Sequence, residues 1–181
     1  PGQAIARLKT AIELQPQSPE IAFNLGLAHH NGGKPGQAVV LYRRTLEIKP
    51  EWVAAWNNLG AALASMGNPS EALDCYAQAR RIAPLDPQAY FNGGVVHQNQ
   101  QCYTDAIDAY RHCLRLDPNF ASAHHNLAQC YIETGAMALA QEHYTKAAKL
   151  RPDNADTWFN LDGMYLAQNC LDSALDCYRK V

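Results

Sequence analysis

Apolar residues follow a helical spacing in two successive stretches of the chain, separated by a short polar break. The first stripe consists of Trp56, Leu59, Gly60 and Leu63, which fall at i, i+3, i+4 and i+7. The second consists of Ala72, Tyr76 and Ala79. Because this spacing brings each set to one face of an α-helix, the pattern predicts two helices that pack on each other through these faces.

The break between the two stripes carries helix-start signals. Gly67 and Asn68 precede Pro69, and Pro is favoured at the first helical position after an N-cap residue such as Asn. The pairs Ser18-Pro19 and Asp86-Pro87 repeat this arrangement at the start of other stretches. Pro84 is expected to end the second helix, because proline cannot continue a helical hydrogen-bond pattern.

The same pattern recurs every 34 residues without insertion or deletion. A small-residue column comprises Ala4, Ala38, Ala72, Ala106, Ala140 and Ala174. An aromatic column comprises Tyr42, Tyr76, Tyr110, Tyr144 and Tyr178, with Leu8 in the same register. A proline column comprises Pro16, Pro50, Pro84, Pro118 and Pro152. A helical hairpin tiled in this way predicts an all-α fold, an α-solenoid of antiparallel helix pairs.

These columns resemble the tetratricopeptide repeat (TPR), whose 34-residue pattern places W, LG, A, Y, A and P at the positions of Trp56, Leu59-Gly60, Ala72, Tyr76, Ala79 and Pro84. The resemblance covers the whole chain. It implies a right-handed superhelix with a concave inner surface lined by the first helix of each pair, and it implies a protein or peptide partner.

The repeat frame predicts the division of the chain. Residues 1–18 form a partial repeat with a second helix alone, and complete repeats occupy 19–52, 53–86, 87–120 and 121–154. A truncated repeat occupies 155–181. We therefore expect a piece of a longer array, with possible end-to-end self-association through uncapped repeats. Gly93 replaces the usual Leu, so we expect looser packing in the 87–120 repeat.

Composition excludes several classes of function. The formal charge of −2 and the pI near 6.4 give no basic footprint for nucleic acid. No apolar run is long enough for direct membrane insertion, and no signal-peptide pattern opens the chain. The six cysteines form no CxxC pair and are interpreted as apolar filling in a reducing compartment. These features favour an intracellular location, cytoplasmic or nuclear.

Catalytic and metal-binding motifs are not found in the sequence. Seven histidines are present, but the adjacent pairs His29-His30 and His124-His125 point about 100° apart on a helix and cannot chelate together. The sequence has no HExxH spacing and no phosphate loop. We therefore predict no enzyme activity, no metal and no cofactor.

An asparagine at one register of each first helix is the candidate binding feature. The ladder comprises Asn24, Asn58, Asn92, Asn126 and Asn160. On the helical wheel Asn58 lies roughly 140–160° from Trp56, Gly60 and Leu63, and the resemblance implies that this side faces the concave groove. The preceding register holds Phe23, Asn57, Phe91, His125 and Phe159. Both columns are predicted to contact a peptide. The alternatives are that the asparagines fix the superhelical pitch and that the aromatic residues pack between repeats.

Neighbouring registers on the same face include Gln98, Gln129 and Ile132, with Glu133 as one of the few charges. The leading hypothesis is a protein–protein interaction scaffold that binds an extended, neutral or weakly basic peptide segment. One alternative is a substrate-recruiting arm similar to that of O-linked GlcNAc transferases, and another is a structural subunit of a large assembly.

The carboxylate clamp of related cochaperones is disfavoured, because its basic positions here carry Glu20, Ala54, Gln88, Ser122 and Asp156. Lys and Arg fall mainly on second helices, where we expect a solvated outer face.

Overall fold

The computed structural model describes the backbone of residues 2–167 and the side chains of residues 5–166. The described backbone contains helices and turns but no strand. The helices are α1 (Gly2–Leu14), α2 (Pro19–Asn31), α3 (Pro35–Ile48), α4 (Val53–Ser65), α5 (Pro69–Ile82), α6 (Pro87–Asn99), α7 (Tyr103–Leu116), α8 (Ala121–Glu133), α9 (Met137–Leu150) and α10 (Ala155–Ala167). The predicted all-α repeat fold is confirmed.

Helices α1 to α5 each pack on their neighbour along the chain, and so do helices α7 to α10. α2 packs on α3, α4 on α5 and α8 on α9, while α3 also contacts α4 and α7 contacts α8. The chain divides into two compact units, unit 1 up to Val96 and unit 2 from His97 onward. Positions 68 residues apart, two repeat lengths, can therefore be compared between the units.

Close helix approach inside the hairpins depends on glycine. Gly60 is buried, and a Cβ added there would lie 2.7 Å from Cε1 of Tyr76. Gly26 stands in the same relation to Tyr42, also at 2.7 Å. Each tyrosine ring therefore packs directly against the backbone of the partner helix.

The expected helix starts are realised in different ways. The Ser18 hydroxyl accepts a hydrogen bond from the backbone N–H of Ile21 at 3.3 Å, and the Asp86 carboxylate accepts one from Gln88 N–H at 3.0 Å. Asn68 stands at the N-cap position, but its side chain makes no capping hydrogen bond. The predicted N-cap position of Asn68 and the helix start at Pro69 are therefore observed, without a hydrogen bond from the asparagine side chain.

A ring N–H at one register of the first helix binds the closing proline of the preceding repeat. Trp56 Nε1 donates to the Pro50 carbonyl at 2.7 Å, and Trp158 Nε1 donates to the Pro152 carbonyl at 2.9 Å. His124 occupies the same register, with Nε2 3.0 Å from the Pro118 carbonyl. Because a carbonyl can only accept, His124 must carry its proton on Nε2.

The space left by Gly93 is occupied from α5. A Cβ at Gly93 would lie 3.3 Å from Nη1 of Arg80, and the Arg80 guanidinium lies over the Tyr90 ring at 5.3 Å from its centroid. The Arg80 guanidinium, held over the Tyr90 ring, therefore partly fills the space of the missing apolar side chain. The looser packing expected of this repeat stays a prediction.

Candidate functional site

All five ladder asparagines lie on first helices, namely α2, α4, α6, α8 and α10. Asn24 is exposed, and the other four are half-buried. Asn24, Asn58 and Asn92 belong to unit 1, whereas Asn126 and Asn160 belong to unit 2. Each asparagine is therefore accessible to some degree.

Three of these asparagines form hydrogen bonds inside the chain. Asn58 Nδ2 donates to the Ala54 carbonyl at 2.8 Å, and Asn92 Oδ1 accepts from Gln88 Nε2 at 2.9 Å. Asn126 Nδ2 donates to the Tyr110 hydroxyl at 3.2 Å. Each of these bonds uses one amide group, which leaves the other group of the same side chain for a partner.

In the register that precedes the ladder, Phe23 and His125 contact other side chains of the fold. Phe23 stacks on Trp52, the N-cap residue of α4, with ring centroids 4.7 Å apart, and also contacts Tyr42. His125 Nδ1 lies 2.8 Å from the Thr157 hydroxyl, so it links α8 to α10. These contacts favour the inter-repeat alternative for Phe23 and His125.

The remaining members of that column differ in exposure. Asn57 is only 9% exposed, and its Oδ1 is buried without a hydrogen-bond partner. Phe91 is half-buried, whereas Phe159 is 72% exposed. Asn57 therefore offers little surface to a ligand, and Phe159 offers a large apolar one.

A cleft in unit 2 gathers carboxamide side chains from several helices, and we name it the amide cleft. Its volume is about 480 Å³. Its lining residues are Gln98, Asn99, Tyr103, Gln129, Ile132, Glu133, Tyr144 and Asn160. Among the predicted site residues, Asn160 lines this cleft, and Asn126 is connected to its wall through Tyr110.

A chain of hydrogen bonds fixes the wall of the amide cleft. The buried Tyr110 hydroxyl donates to Gln98 Oε1 at 2.7 Å while it accepts from Asn126. Gln98 Nε2 in turn donates to Gln129 Oε1 at 3.0 Å. Because Oε1 of Gln129 is the acceptor, its Nε2 amide hydrogens are left to donate. The network thus sets the orientation of one donor group at the cleft.

The chemistry of the amide cleft is polar with apolar edges. Glu133 is the one carboxylate that the described part of the chain contributes to its lining, and Tyr103, Ile132 and Tyr144 supply apolar surface. Burial raises the pKa of Tyr144 to about 12, so this ring stays neutral near pH 7. Uncharged donors and acceptors beside apolar surface suit an extended polypeptide.

Sequence reasoning placed Gln98 and Gln129 on this face but missed the role of Tyr110. Tyr110 belongs to the aromatic packing column, and its ring is fully buried as that column predicts. Its hydroxyl nevertheless reaches the amide side chains of α6 and α8. The sequence signal for this role was Gln98, 12 residues before the tyrosine, at a register where the other repeats have His30, Ala64, Ile132 and Leu166.

Within the described residues, no group of three His, Cys, Asp or Glu side chains could hold a metal ion. Cys75, Cys113 and Cys130 are buried free thiols, Cys102 is exposed, and Cys170 and Cys177 lie outside the described residues. None of the described helices is long and apolar enough to cross a membrane.

The fold and the cleft together define a helical repeat scaffold. The sequence matches the families described as "TPR repeat" over residues 2–33 and "Tetratricopeptide repeat" over residues 53–85 and 100–142. The chain therefore belongs to the tetratricopeptide repeat family. Repeats of this family act as protein-interaction scaffolds and are typically not catalytic.

Solved structures share this fold. MamA (residues 41 to the end) from Desulfovibrio magneticus RS-1 is 26% identical, with a TM-score of 0.74 over 82% of this chain and 84% of that one. PilF from Pseudomonas aeruginosa is 21% identical, with a TM-score of 0.85 over 97% and 80%. YrrB, described as a TPR protein with an unusual peptide-binding site, is 18% identical, with a TM-score of 0.69 over 96% and 89%. No curated protein sequence matches the chain.

Proposed function

We propose that this chain is a non-enzymatic interaction module that binds an extended peptide segment of a partner protein in the amide cleft of unit 2. The observation that carries the proposal is the hydrogen-bond chain through Asn126, Tyr110, Gln98 and Gln129. Such a chain holds the carboxamides in fixed orientations before any ligand arrives, so little ordering entropy is lost on binding.

An extended peptide backbone alternates carbonyl acceptors with N–H donors, and the amide cleft offers groups that complement both. Nε2 of Gln129 would donate to a peptide carbonyl, and the side-chain oxygen of Asn160 would accept from a peptide N–H. One such bond contributes only about 0.5–1.5 kcal/mol, so several are required for useful affinity. In unit 1, Asn24, Asn58 and Asn92 are proposed to make amide contacts of the same kind with an extended peptide.

Electrostatics of the amide cleft favour a neutral or weakly basic peptide. Among the described residues, the lining contains Glu133 and no Lys or Arg. A peptide carboxylate would therefore meet like charge, while a lysine or arginine would meet an acceptor. Apolar peptide side chains could pack on Ile132 and Tyr103 at the edge of the cleft.

The test begins with peptides selected on the whole chain from an unbiased random-peptide display library. Their affinities are then measured for the wild-type chain and for the double variant Gln129→Ala/Asn160→Ala. We expect a loss of about tenfold or more, because two backbone hydrogen bonds are removed. The matched control is Gln17→Ala/Gln37→Ala, which removes two exposed amides from unit 1 and should leave affinity unchanged.

Circular dichroism of both double variants checks that helicity is intact. Equal affinity of the cleft variant and the wild-type chain for every selected peptide would overturn the proposal. The triple variant Asn24→Ala/Asn58→Ala/Asn92→Ala, which leaves the hydrogen-bond chain of the cleft intact, then asks whether the ladder contributes beyond the cleft. A loss in this variant supports the ladder, and no loss would assign peptide binding to the cleft glutamine and Asn160 alone.

A further inference from the structure

A second groove in unit 2 shares no lining residue with the amide cleft, and we name it the basic groove. It lies among α7, α8 and α9 and has a volume of about 880 Å³. Arg111 and Arg115 come from α7, and Lys146 and Lys149 come from α9. All four basic side chains are exposed, so their charges can reach a ligand.

The charge of the basic groove is only partly balanced from within. Glu142 is the one carboxylate in its lining, and it pairs with Lys146 at 2.7 Å. Both members of this pair are about half exposed, so the pair is easily exchanged for another carboxylate. Four basic groups against one acid leave an excess positive charge along the groove.

Apolar surface lies between the basic side chains. Leu127 and Tyr131 of α8 are buried in the hairpin, while Leu139 and Leu150 of α9 remain 44% and 37% exposed. Exposed leucines beside lysines and arginines can be covered by apolar side chains of a partner. The groove therefore offers apolar contact and positive charge together.

The equivalent groove of unit 1 carries the opposite charge. It lies among α3, α4 and α5, 68 residues earlier, with a volume of about 520 Å³. Its lining holds Glu47, Glu71 and Asp74 against Arg43 alone. The hairpin packing thus accepts acidic side chains at these registers, and the fold itself does not require the basic ones.

We propose that the basic groove is a docking site for an acidic peptide segment that carries apolar residues, distinct from the peptide bound in the amide cleft. Its positive side chains complement peptide carboxylates, and its exposed leucines complement apolar peptide side chains. A free phosphate ion would use the charge but leave the leucines exposed. The combination of both features favours a peptide.

The test replaces two residues of the basic groove by the residues at the equivalent positions of the unit 1 groove. Arg115→Glu and Lys146→Gln introduce the residues that unit 1 has at the equivalent positions, Glu47 and Gln78. The probe is a short fluorescein-labelled peptide that alternates Glu and Leu, and fluorescence anisotropy with the full chain measures its affinity. We expect the double variant to bind about tenfold more weakly, because three units of charge are removed from the groove.

A matched control makes the same change of net charge elsewhere. Arg7→Glu/Lys9→Gln acts on two exposed residues of α1 and should leave the affinity for the probe nearly unchanged. The opposite variant, Glu142→Gln, removes the one acid of the groove and should strengthen binding. A probe with Gln in place of Glu should bind poorly, and so should one with Ser in place of Leu.

Three outcomes would overturn the proposal. One is an equal loss in the groove variant and in the α1 control, which would indicate a non-specific charge effect. Another is binding that does not depend on the leucines of the probe and is displaced by inorganic phosphate, which would indicate a simple anion site. The third is tighter binding of a single-stranded oligonucleotide than of the peptide, with a loss of oligonucleotide affinity in the same variants. Thermal unfolding of each variant confirms that the fold is retained.

Discussion

Tyr42 in unit 1 and Tyr110 in unit 2 occupy the same hairpin position, 68 residues apart, yet their hydroxyl groups have different surroundings. Both rings are fully buried. The Tyr110 hydroxyl bonds to Gln98 and Asn126, whereas the Tyr42 hydroxyl is buried without a hydrogen-bond partner. The repeat therefore preserves the ring for packing, while the polar group changes its role between units.

The difference arises from the residues that surround each hydroxyl. In unit 1 the position of Gln98 is held by His30, and Asn58 holds the position of Asn126. Asn58 donates its amide to the Ala54 carbonyl of its own helix instead. A ladder residue can thus bind its own backbone in one unit and support a polar wall in the other. Identity of the asparagine alone does not determine its function.

Removing each of the two hydroxyl groups tests this comparison directly and should give the largest effect on stability. Replacing Tyr110 by Phe removes the hydroxyl and leaves Gln98 Oε1 and Asn126 Nδ2 without their partner. We expect Tyr110→Phe to lower the free energy of unfolding by about 2 kcal/mol, because unsatisfied polar groups are costly. Tyr42→Phe removes a hydroxyl that has no hydrogen-bond partner and should leave stability unchanged or slightly increased.

Urea denaturation of the two variants against the wild-type chain measures both effects. Each variant is the control for the other, because each loses one oxygen from an equivalent buried ring. Similar losses of unfolding free energy in the two variants would contradict the difference between the two hydroxyl groups, since the Tyr42 hydroxyl would then be hydrogen-bonded in solution. The Tyr110 variant should also bind selected peptides more weakly, because the orientation of Gln98 and Gln129 depends on that hydroxyl.

The second comparison concerns His143 and its unit 1 equivalent, Cys75. Burial lowers the pKa of His143 from 6.5 to about 4, with added effects from His124, Lys146 and Arg111 and a smaller opposing effect from Glu142. The fold therefore favours neutral His143. Its contribution to stability is complete above pH 6.5 and is lost as the pH falls toward 4.

The hydrogen bond between the two rings explains which nitrogen is protonated. Nδ1 of His124 lies 2.7 Å from Nδ1 of His143, and His124 holds its own proton on Nε2 through the Pro118 carbonyl. His143 must therefore donate from Nδ1 to the bare Nδ1 of neutral His124. A second proton on His124 would occupy Nδ1, so the bond would persist only with His143 protonated on Nε2 and accepting at Nδ1.

The lowering of the His143 pKa from 6.5 to about 4 corresponds to a free-energy difference of about 3 kcal/mol between its neutral and charged forms in the folded chain. Because the His143 ring is only partly buried, we expect about 1–2 kcal/mol of stability to be lost between pH 6.5 and pH 4. The measurement is the urea midpoint as a function of pH. His143→Cys introduces the residue of the unit 1 groove and should flatten this dependence. An unchanged slope would assign the acid sensitivity to other groups, such as His29 and His125, whose pKa values burial also lowers.

The third comparison sets Gly60 against Ala128, which occupies its register in unit 2. Ala128 is fully buried, whereas a Cβ at Gly60 would lie 2.7 Å from the Tyr76 ring. We expect Gly60→Ala to lower stability by about 1 kcal/mol, because overpacking outweighs the gain in helix propensity. Ala128→Gly should lose a similar amount through lost packing and propensity.

Gly163 provides the control for helix propensity. It lies in α10 with no atom within 4 Å of an added Cβ, so Gly163→Ala should stabilise the chain by about 0.5–1 kcal/mol. Thermal denaturation distinguishes these variants. A gain for Gly60→Ala as large as that for Gly163→Ala would show that the Tyr76 ring shifts easily, and the close approach would then not limit the residue at this register.

The sequence was sufficient for the fold because packing residues repeat, and packing sets the helix pairs. Gly60, Tyr76 and the prolines recur at fixed spacing, and the hairpins follow from them. The polar contacts were harder to predict, since a carboxamide can bind its own helix, a tyrosine or a ligand with similar energy. Asn58 and Asn126 differ in this way at the same register.

The basic groove was also beyond sequence reasoning. Arg115 and Lys146 lie on second helices that are separate in the chain, and their shared cavity depends on how α7 and α9 flank α8. From the sequence these residues were expected on a solvated outer face, because isolated surface charges usually have no specific partner.

The unusual backbone of Gln101, in contrast, could have been predicted from the sequence, since the other repeats have Gly33, Gly67 and Gly135 at its register.

The last comparison concerns this turn between the two helices of each hairpin. Gln101 has a φ of 61°, close to the 70° of Gly33, 78° of Gly67 and 79° of Gly135. A side chain in this left-handed conformation costs about 1 kcal/mol, partly offset because glycine gains entropy in the unfolded chain. We therefore expect Gln101→Gly to raise the free energy of unfolding by about 0.5–1 kcal/mol, as measured by urea denaturation. The reciprocal variant, Gly67→Gln, should lose a similar amount. A destabilised Gln101→Gly variant would mean that the glutamine side chain makes a stabilising contact that outweighs its backbone strain.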